Sequence, residues 1–213
     1  MTEEEARDWL DRTFSVPRET WDRLERYIAM LLSAMEEQNL IAESTRPHIW
    51  ARHIVDSAQL LPMTEAAGEG AWVDLGSGAG LPAIVVAILS ERPIIMIESR
   101  RKRVEFLTAV VEELGLSHAT VHGGRVEMAA PMDAAIISAR AYAPLPRLFE
   151  TATHLSTERT IWVLPKGRNA ENELETVRPT WQGVFHVERS LTDPDSAILV
   201  AQAVRPRGKK GRG

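Results

Sequence analysis

Residues 73–81 read Val73-Asp74-Leu75-Gly76-Ser77-Gly78-Ala79-Gly80-Leu81, and their reading decides the fold. They follow a short apolar run that suits a buried strand, and they open a helix. Glycines let the backbone turn sharply and approach a ligand with no Cβ in the way. In open α/β sheets this junction, at the carboxyl end of a strand, is where ligands bind. Outward from it, apolar runs alternate with helical periodicity. Strands are predicted at residues 71–75, 94–98, 120–122, 133–137, 160–164, 184–188 and 198–204. A helix over 101–114 places Val104, Leu107, Val111 and Leu114 on one face, and Gly115 stands where a helix C-terminus favours glycine. Strands alternating with helices predict an α/β, Rossmann-like architecture: a mostly parallel, seven-stranded sheet with helices on both faces. No long helical pattern separates the last two strands, which are expected to pair antiparallel at the sheet edge.

Upstream of the sheet the pattern is helical. Trp21, Leu24, Ile28, Leu31, Leu32 and Met35 recur at spacings of three and four after Pro17, which suits a first helical turn. A second helix is expected around residues 49–61. The chain therefore divides into an N-terminal helical extension (1–62), a ligand-binding domain (63–204) and a basic tail (205–213). A length of 213 residues suits one such domain with an extension. The formal net charge is −5, but the charge is unevenly spread. Residues 1–43 carry eleven acids against five bases, whereas residues 205–213 carry five bases (Arg205, Arg207, Lys209, Lys210, Arg212) and no acid. A second basic run is Arg100-Arg101-Lys102-Arg103. The Gly- and base-rich tail is expected to be a flexible arm. With no cysteine, disulfides and thiolate metal sites are excluded, and no metal is expected from the six histidines. The acidic N-terminus does not read as a secretory signal, and no apolar stretch is long enough to span a bilayer. The expectation is a cytoplasmic protein with no membrane partner, working as a monomer.

The chemistry of the loop comes from its acids. Glu98 ends the next strand, 18 residues after Gly80. A carboxylate there can accept both hydroxyls of a ribose. A nicotinamide dinucleotide favours G-x-G-x-x-G, with the helix N-terminus open to a pyrophosphate. Here the spacing is G-x-G-x-G and Asp74 stands just before it. That carboxylate repels pyrophosphate but suits a cofactor carrying ammonium and sulfonium charges, which is the pattern of methyltransferases using S-adenosylmethionine. The competing reading is a turn with no ligand.

The segment Asp74-Leu75-Gly76-Ser77-Gly78-Ala79-Gly80-Leu81-Pro82 resembles the RsmG family, also called glucose-inhibited division protein B. Asn39-Leu40 with Arg52-His53-Ile54-Val55-Asp56-Ser57, Glu98-Ser99-Arg100 with Lys102-Arg103, Arg125-Val126-Glu127, Ile137-Ser138-Ala139-Arg140-Ala141 and Leu164-Pro165-Lys166-Gly167 agree with it, in order, over residues 20–170. The chain departs at Ala83, where the family reads glycine. The resemblance implies a class I methyltransferase fold and transfer of a methyl group from S-adenosylmethionine to N7 of a guanine in 16S ribosomal RNA. The partner it implies is that RNA or the small ribosomal subunit. It implies cofactor contacts at Gly76, Leu81, Val126, Glu127 and Arg140, beside Asp74, Gly78 and Glu98 from the loop itself. Candidate RNA contacts are Arg52, His53, Lys166 and the basic tail. For each of these an ordinary ion pair, a helix cap or a solvated lysine is the plainer alternative. No residue is expected to serve as a general base. Rival functions are methylation of a small molecule or protein, a nicotinamide-dependent oxidoreductase, and a non-catalytic RNA-binding module on the same fold.

Overall fold

The computed structural model describes residues 1–208. It opens with helices α1 (Glu3–Phe14) and α2 (Arg18–Ala34). The first is capped reciprocally: Thr2 Oγ1 accepts the Glu5 N–H at 3.1 Å while the Glu5 carboxylate accepts the Thr2 N–H at 2.7 Å. The acidic start of the expected helical extension is a helix, held down by buried Ala6 and Leu10. A second acid there has a structural task. The Glu3 carboxylate accepts the backbone N–H groups of Trp50 and Ala51, each at 3.0 Å. These begin a π-helical turn (Trp50–Val55) that runs into the short α3 (Asp56–Ala58), where the sequence predicts an ordinary helix.

The remaining elements alternate as expected: β1 (Trp72–Leu75), α4 (Ala83–Leu89), β2 (Ile94–Glu98), α5 (Arg101–Glu113), β3 (Ala119–Gly123), β4 (Ala134–Ser138), α6 (Leu145–Ala152), β5 (Ser156–Lys166), α7 (Ala170–Val177), β6 (Trp181–Arg189) and β7 (Ala197–Pro206). They form one seven-stranded sheet in the order β3-β2-β1-β4-β5-β7-β6. The first five strands are parallel, and β7 runs antiparallel to both of its neighbours. Alternate residues face opposite cores. Trp72 and Ile136 join α1, α2, α4 and α5 on one face. Val73, Leu75 and Ile137 join α6 and α7 on the other.

The end of β7 corrects the expected tail. Arg205 lies within the strand, opposite Gln182, and ion-pairs with Glu158. The Arg207 N–H donates to the Thr180 carbonyl at 2.7 Å, and its guanidinium to the Trp181 carbonyl at 2.9 Å. Arg205 belongs to the sheet, and Arg207, just past the end of β7, is held by the carbonyls at the start of β6. Since β7 is reversed, they sit at the end of the sheet opposite the carboxyl ends of β1–β5. Lys209, Lys210 and Arg212 lie outside the described residues.

Candidate functional site

Gly76, Gly78 and Gly80 all have positive φ, at 65°, 58° and 89°. A Cβ on Gly80 would fall 2.4 Å from Ile84 Cγ1, and one on Gly76 would fall 2.7 Å from Tyr142 Cδ2. At Gly78 the nearest atoms are 3.6 Å away, so there only the conformation demands glycine. The loop is tied from both sides. The Gly78 N–H donates to Glu98 Oε2 at 2.9 Å and the Arg100 N–H to Oε1 at 2.8 Å. Buried Tyr27, from α2, donates its hydroxyl to the Ala79 carbonyl at 2.8 Å.

Asp74, the penultimate residue of β1, stands beside this loop and is 1% exposed. Its Oδ1 accepts Ser138 Oγ–H at 2.5 Å, and Ser138 in turn accepts Trp72 Nε1–H at 2.8 Å. Its Oδ2 is buried with no partner. Burial pushes the carboxyl up to about 6, held back by the Ser138 hydrogen bond. A buried, unsatisfied carboxylate oxygen is costly unless a ligand completes it. It fits the cationic groups of S-adenosylmethionine. Glu98 fits the ribose, because two of its roughly four lone-pair directions remain after the backbone bonds.

Arg140 follows β4 and points to the π-helical turn. Its Nη1 lies 3.3 Å from Asp56 Oδ2 and 3.3 Å from His53 Nδ1. The guanidinium only donates, so Nδ1 accepts and Nε2 carries the ring proton. That proton goes to Thr45 Oγ1 at 2.7 Å, whose own hydrogen goes to the Ala42 carbonyl at 2.7 Å. Burial first, then the charges of Arg140 and Arg52, push His53 down to about 3, so it is neutral at physiological pH. Asp56 Oδ1 also accepts from Thr192 at 2.9 Å and Gln59 at 3.0 Å. Thr45, His53 and Asp56 line a cavity of about 660 Å³, walled also by Arg140, Tyr142, Lys166, Arg52 and Asp193. Asp74 and Glu98 are not in its lining. Tyr142, seated on Gly76, stands between the glycine loop and the cavity.

The sheet thus brings Asp74, Gly76, Gly78, Glu98 and Arg140 together at the ends of β1, β2 and β4. Val126 and Glu127 follow β3, where the Gly124 N–H donates to the Glu98 carbonyl at 2.9 Å. The Val126 and Leu81 side chains are buried in the apolar cores, leaving only backbone for a ligand, while Glu127 is exposed. Two of the candidate RNA contacts, Arg52 and Lys166, are already engaged. Arg52 pairs with Asp193 at 2.6 Å, and Lys166 with Glu173 at 2.8 Å and the Ala143 carbonyl at 3.2 Å. Sequence reasoning missed Ser138, Tyr142, Asp193 and the role of Asp56. For Asp56 a signal existed, since its spacing of three from His53 puts both on one helical face.

Known proteins resemble this chain over most of its length. A family model described as "GidB: rRNA small subunit methyltransferase G" matches residues 20–192. A protein of Sphingopyxis alaskensis named ribosomal RNA small subunit methyltransferase G is 54% identical over 210 residues, covering 97% of this chain and 90% of its own. One of the same name from Rhizorhabdus wittichii is 52% identical, covering 100% and 98%. Among solved structures, the O-methyltransferase from Bacillus cereus in complex with SAH superposes with a TM-score of 0.60 at 15% identity, over 92% of this chain and 96% of that one. That likeness shows the shared methyltransferase fold. With a matched segment spanning most of its length and relatives identical at half their positions, the chain belongs to the GidB family of small-subunit ribosomal RNA methyltransferases.

Proposed function

We propose that this S-adenosylmethionine-dependent methyltransferase acts on N7 of a guanine in 16S ribosomal RNA. One observation carries the choice of acceptor. The only imidazole at the cavity among the described residues, His53, is neutral, and both ring nitrogens are engaged. A hydroxyl or amine acceptor must lose a proton to a base. Guanine N7 carries no proton and offers an in-plane lone pair, so the site needs no base. When bound, the cofactor supplies an activated methyl group on a sulfonium. The chain's own residues then bind and orient. Asp74 faces positive charge, Glu98 receives hydroxyls, and Arg140, held by His53 and Asp56, faces a carboxylate or phosphate. Orientation alone can supply roughly 7–11 kcal/mol.

The finer reading treats residues 1–62 as a helical extension that completes the loop's support through Tyr27. Residues 63–204 are the cofactor domain, and the monomer acts in the cytoplasm. The test is incubation with methyl-labelled cofactor and, separately, free 16S RNA, unmodified small subunits and a protein extract. Label in the RNA, removed by acid treatment that releases N7-methylguanine, is expected. Label confined to protein would overturn the reading. Single-turnover rates are expected to stay nearly flat from pH 6 to 9, and in Arg140→Ala the loss is expected in binding, with that profile unchanged. With cofactor and RNA saturating, a neutral-range ionisation of the chemical step abolished by one substitution would show a base at work.

A further inference from the structure

The cations of the cavity are already matched to acids: Arg52 to Asp193, Arg140 to Asp56, Lys166 to Glu173 and, at its margin, Arg168 to Asp195. Arg205 and Arg207 stand at the other end of the sheet. A polyanion gains little from a cation that must first release a carboxylate. On the site-bearing face, Arg147 and Arg189 stand singly without an ion-pair partner among the described residues, and a cluster of unmatched cations lies around the ends of β2 and β3. Arg100, Lys102 and Arg125 are exposed there, and none of the three has a carboxylate within 4 Å among the described residues. Two elements bring them together. Glu98 pairs with Gly123 across β2 and β3, and the Glu98 carboxylate holds the Arg100 N–H. Arg125 follows two residues after that register, and Lys102 lies in the first turn of α5.

The helix rule sharpens the point. Acids belong in first helical turns, where they meet the positive end of the macrodipole. This chain obeys that rule in α1 (Glu3, Glu4, Glu5), α2 (Glu19) and α7 (Glu171, Glu173). In α5 the first turn holds no acid and three bases. Of these, Arg103 is used structurally, reaching the Asn39 carbonyl at 3.3 Å and lying 3.9 Å from Glu98, and Arg101 pairs with Glu105. Lys102 and the preceding Arg100 get no such return. A local rule broken without internal compensation marks a surface shaped for something outside the molecule. The chain as a whole carries a net charge of −5, so this cluster is not the product of a generally basic surface.

We infer that Arg100, Lys102 and Arg125 form the main phosphate-binding rim of the enzyme, and that the RNA strand lies across the ends of β2 and β3 instead of across β5 and β7. The inference rests on the RNA substrate proposed above. Strands stand 4.7–4.9 Å apart, so the end of β3 is about 15 Å from that of β4, where Arg140 begins. The rim therefore grips nucleotides flanking the acceptor, not the acceptor itself.

The test uses the full chain, wild type and the triple variant Arg100→Gln/Lys102→Gln/Arg125→Gln, with a 16S RNA fragment titrated at several salt concentrations. The slope of log affinity against log salt is expected to fall by about 2, at roughly 0.7 per single-strand phosphate contact. Cofactor affinity by calorimetry and the melting temperature report whether the fold persists. Lys102→Glu, at the most peripheral position, repeats the test without touching the residues beside Glu98, and should weaken RNA binding more than Arg159→Glu at the far end of the sheet. A wild-type salt slope in the triple variant, or equal losses in Lys102→Glu and Arg159→Glu, overturns the inference while leaving the substrate intact. Wild-type protein that neither binds nor labels the RNA overturns the substrate reading and the rim with it.

Discussion

If Asp74 meets the cofactor's positive charge, acid should loosen the cofactor in a predictable way. Its carboxyl is raised from 3.8 to about 6, chiefly by burial, and Oδ2 has no partner among the described residues. At pH 7 the group is mostly ionised; at pH 5 about nine-tenths of it is protonated. A cationic ligand favours the ionised form, so the proton must leave on binding. Affinity is then expected to fall about tenfold between pH 7 and pH 5, or about 1.4 kcal/mol. The ligand's own amino group stays charged in this range, since α-amino groups titrate near 7.7–8.0. The unliganded protein should show the opposite trend. Because the folded-state value lies above the unfolded one, the folded state binds the proton more tightly. The stability conferred by protonation is full below about pH 4 and is lost as pH rises through about 6. A difference of about two units corresponds to about 3 kcal/mol at most. Calorimetric titration of S-adenosylmethionine at half-unit intervals from pH 5 to 7 measures the first effect. Thermal melts of wild type against Asp74→Asn over the same range isolate the second. Asp74→Asn should bind weakly and without pH dependence, and its stability relative to wild type should improve as pH rises. A wild-type affinity that stays level from pH 7 to 5 would refute the contact between Asp74 and the cation.

Other outcomes follow from the same geometry. His53 is depressed to about 3, so its contribution to stability is present above pH 6.5 and lost as pH falls toward 3. The acid-unfolding midpoint of His53→Gln should therefore move to lower pH, and an unchanged midpoint would count against a buried neutral ring. Gly76→Ala places a Cβ 2.7 Å from Tyr142 at φ 65°. It should cost about 1–2 kcal/mol for the backbone alone, read by denaturant melts, with Tyr142→Ala restoring only the steric part. Gly78→Ala has open space around its Cβ, so its loss should appear in cofactor affinity more than in steric strain. Truncation after Val204 removes the Arg205–Glu158 pair and both Arg207 bonds, and should lower the melting temperature by several degrees. Truncation after Gly208 should not.

The strand positions and the glycine loop were legible because each is local. Period-two and period-3.6 patterns mark the elements, and an acid before a glycine trio marks the ligand side. Glu98 was legible by spacing, although its bonds to the Gly78 and Arg100 N–H groups were not. What escaped was every partner distant in sequence. Nothing near Lys166 announces Glu173 as its counter-ion, and nothing near Arg52 announces Asp193, because the turns that deliver those acids are set by tertiary packing. Nothing in the acidic run at residues 3–5 announces that Glu3 caps a turn 47 residues away. Arg205 and Arg207 looked like a tail because composition does not reveal that a reversed strand claims them.

The reversal of β7 also orders events in time. This strand stands between β5 and β6, both of which precede it in the chain, so β6 has no place in the sheet until β7 exists. The two can pair as a hairpin and dock as a unit, with β7 zipping against β5 from Lys166 opposite Ala197 to Trp162 opposite Ala201. The tip of that hairpin carries Thr192 and Asp193, which grip Asp56 and Arg52. At synthesis rates of 5–20 residues per second, residues 181–206 emerge over about 1–5 s. During that interval the glycine loop and its helices can already be folded while one wall of the cavity is missing. Local fraying of the hairpin in the finished protein would recreate that same half-built state.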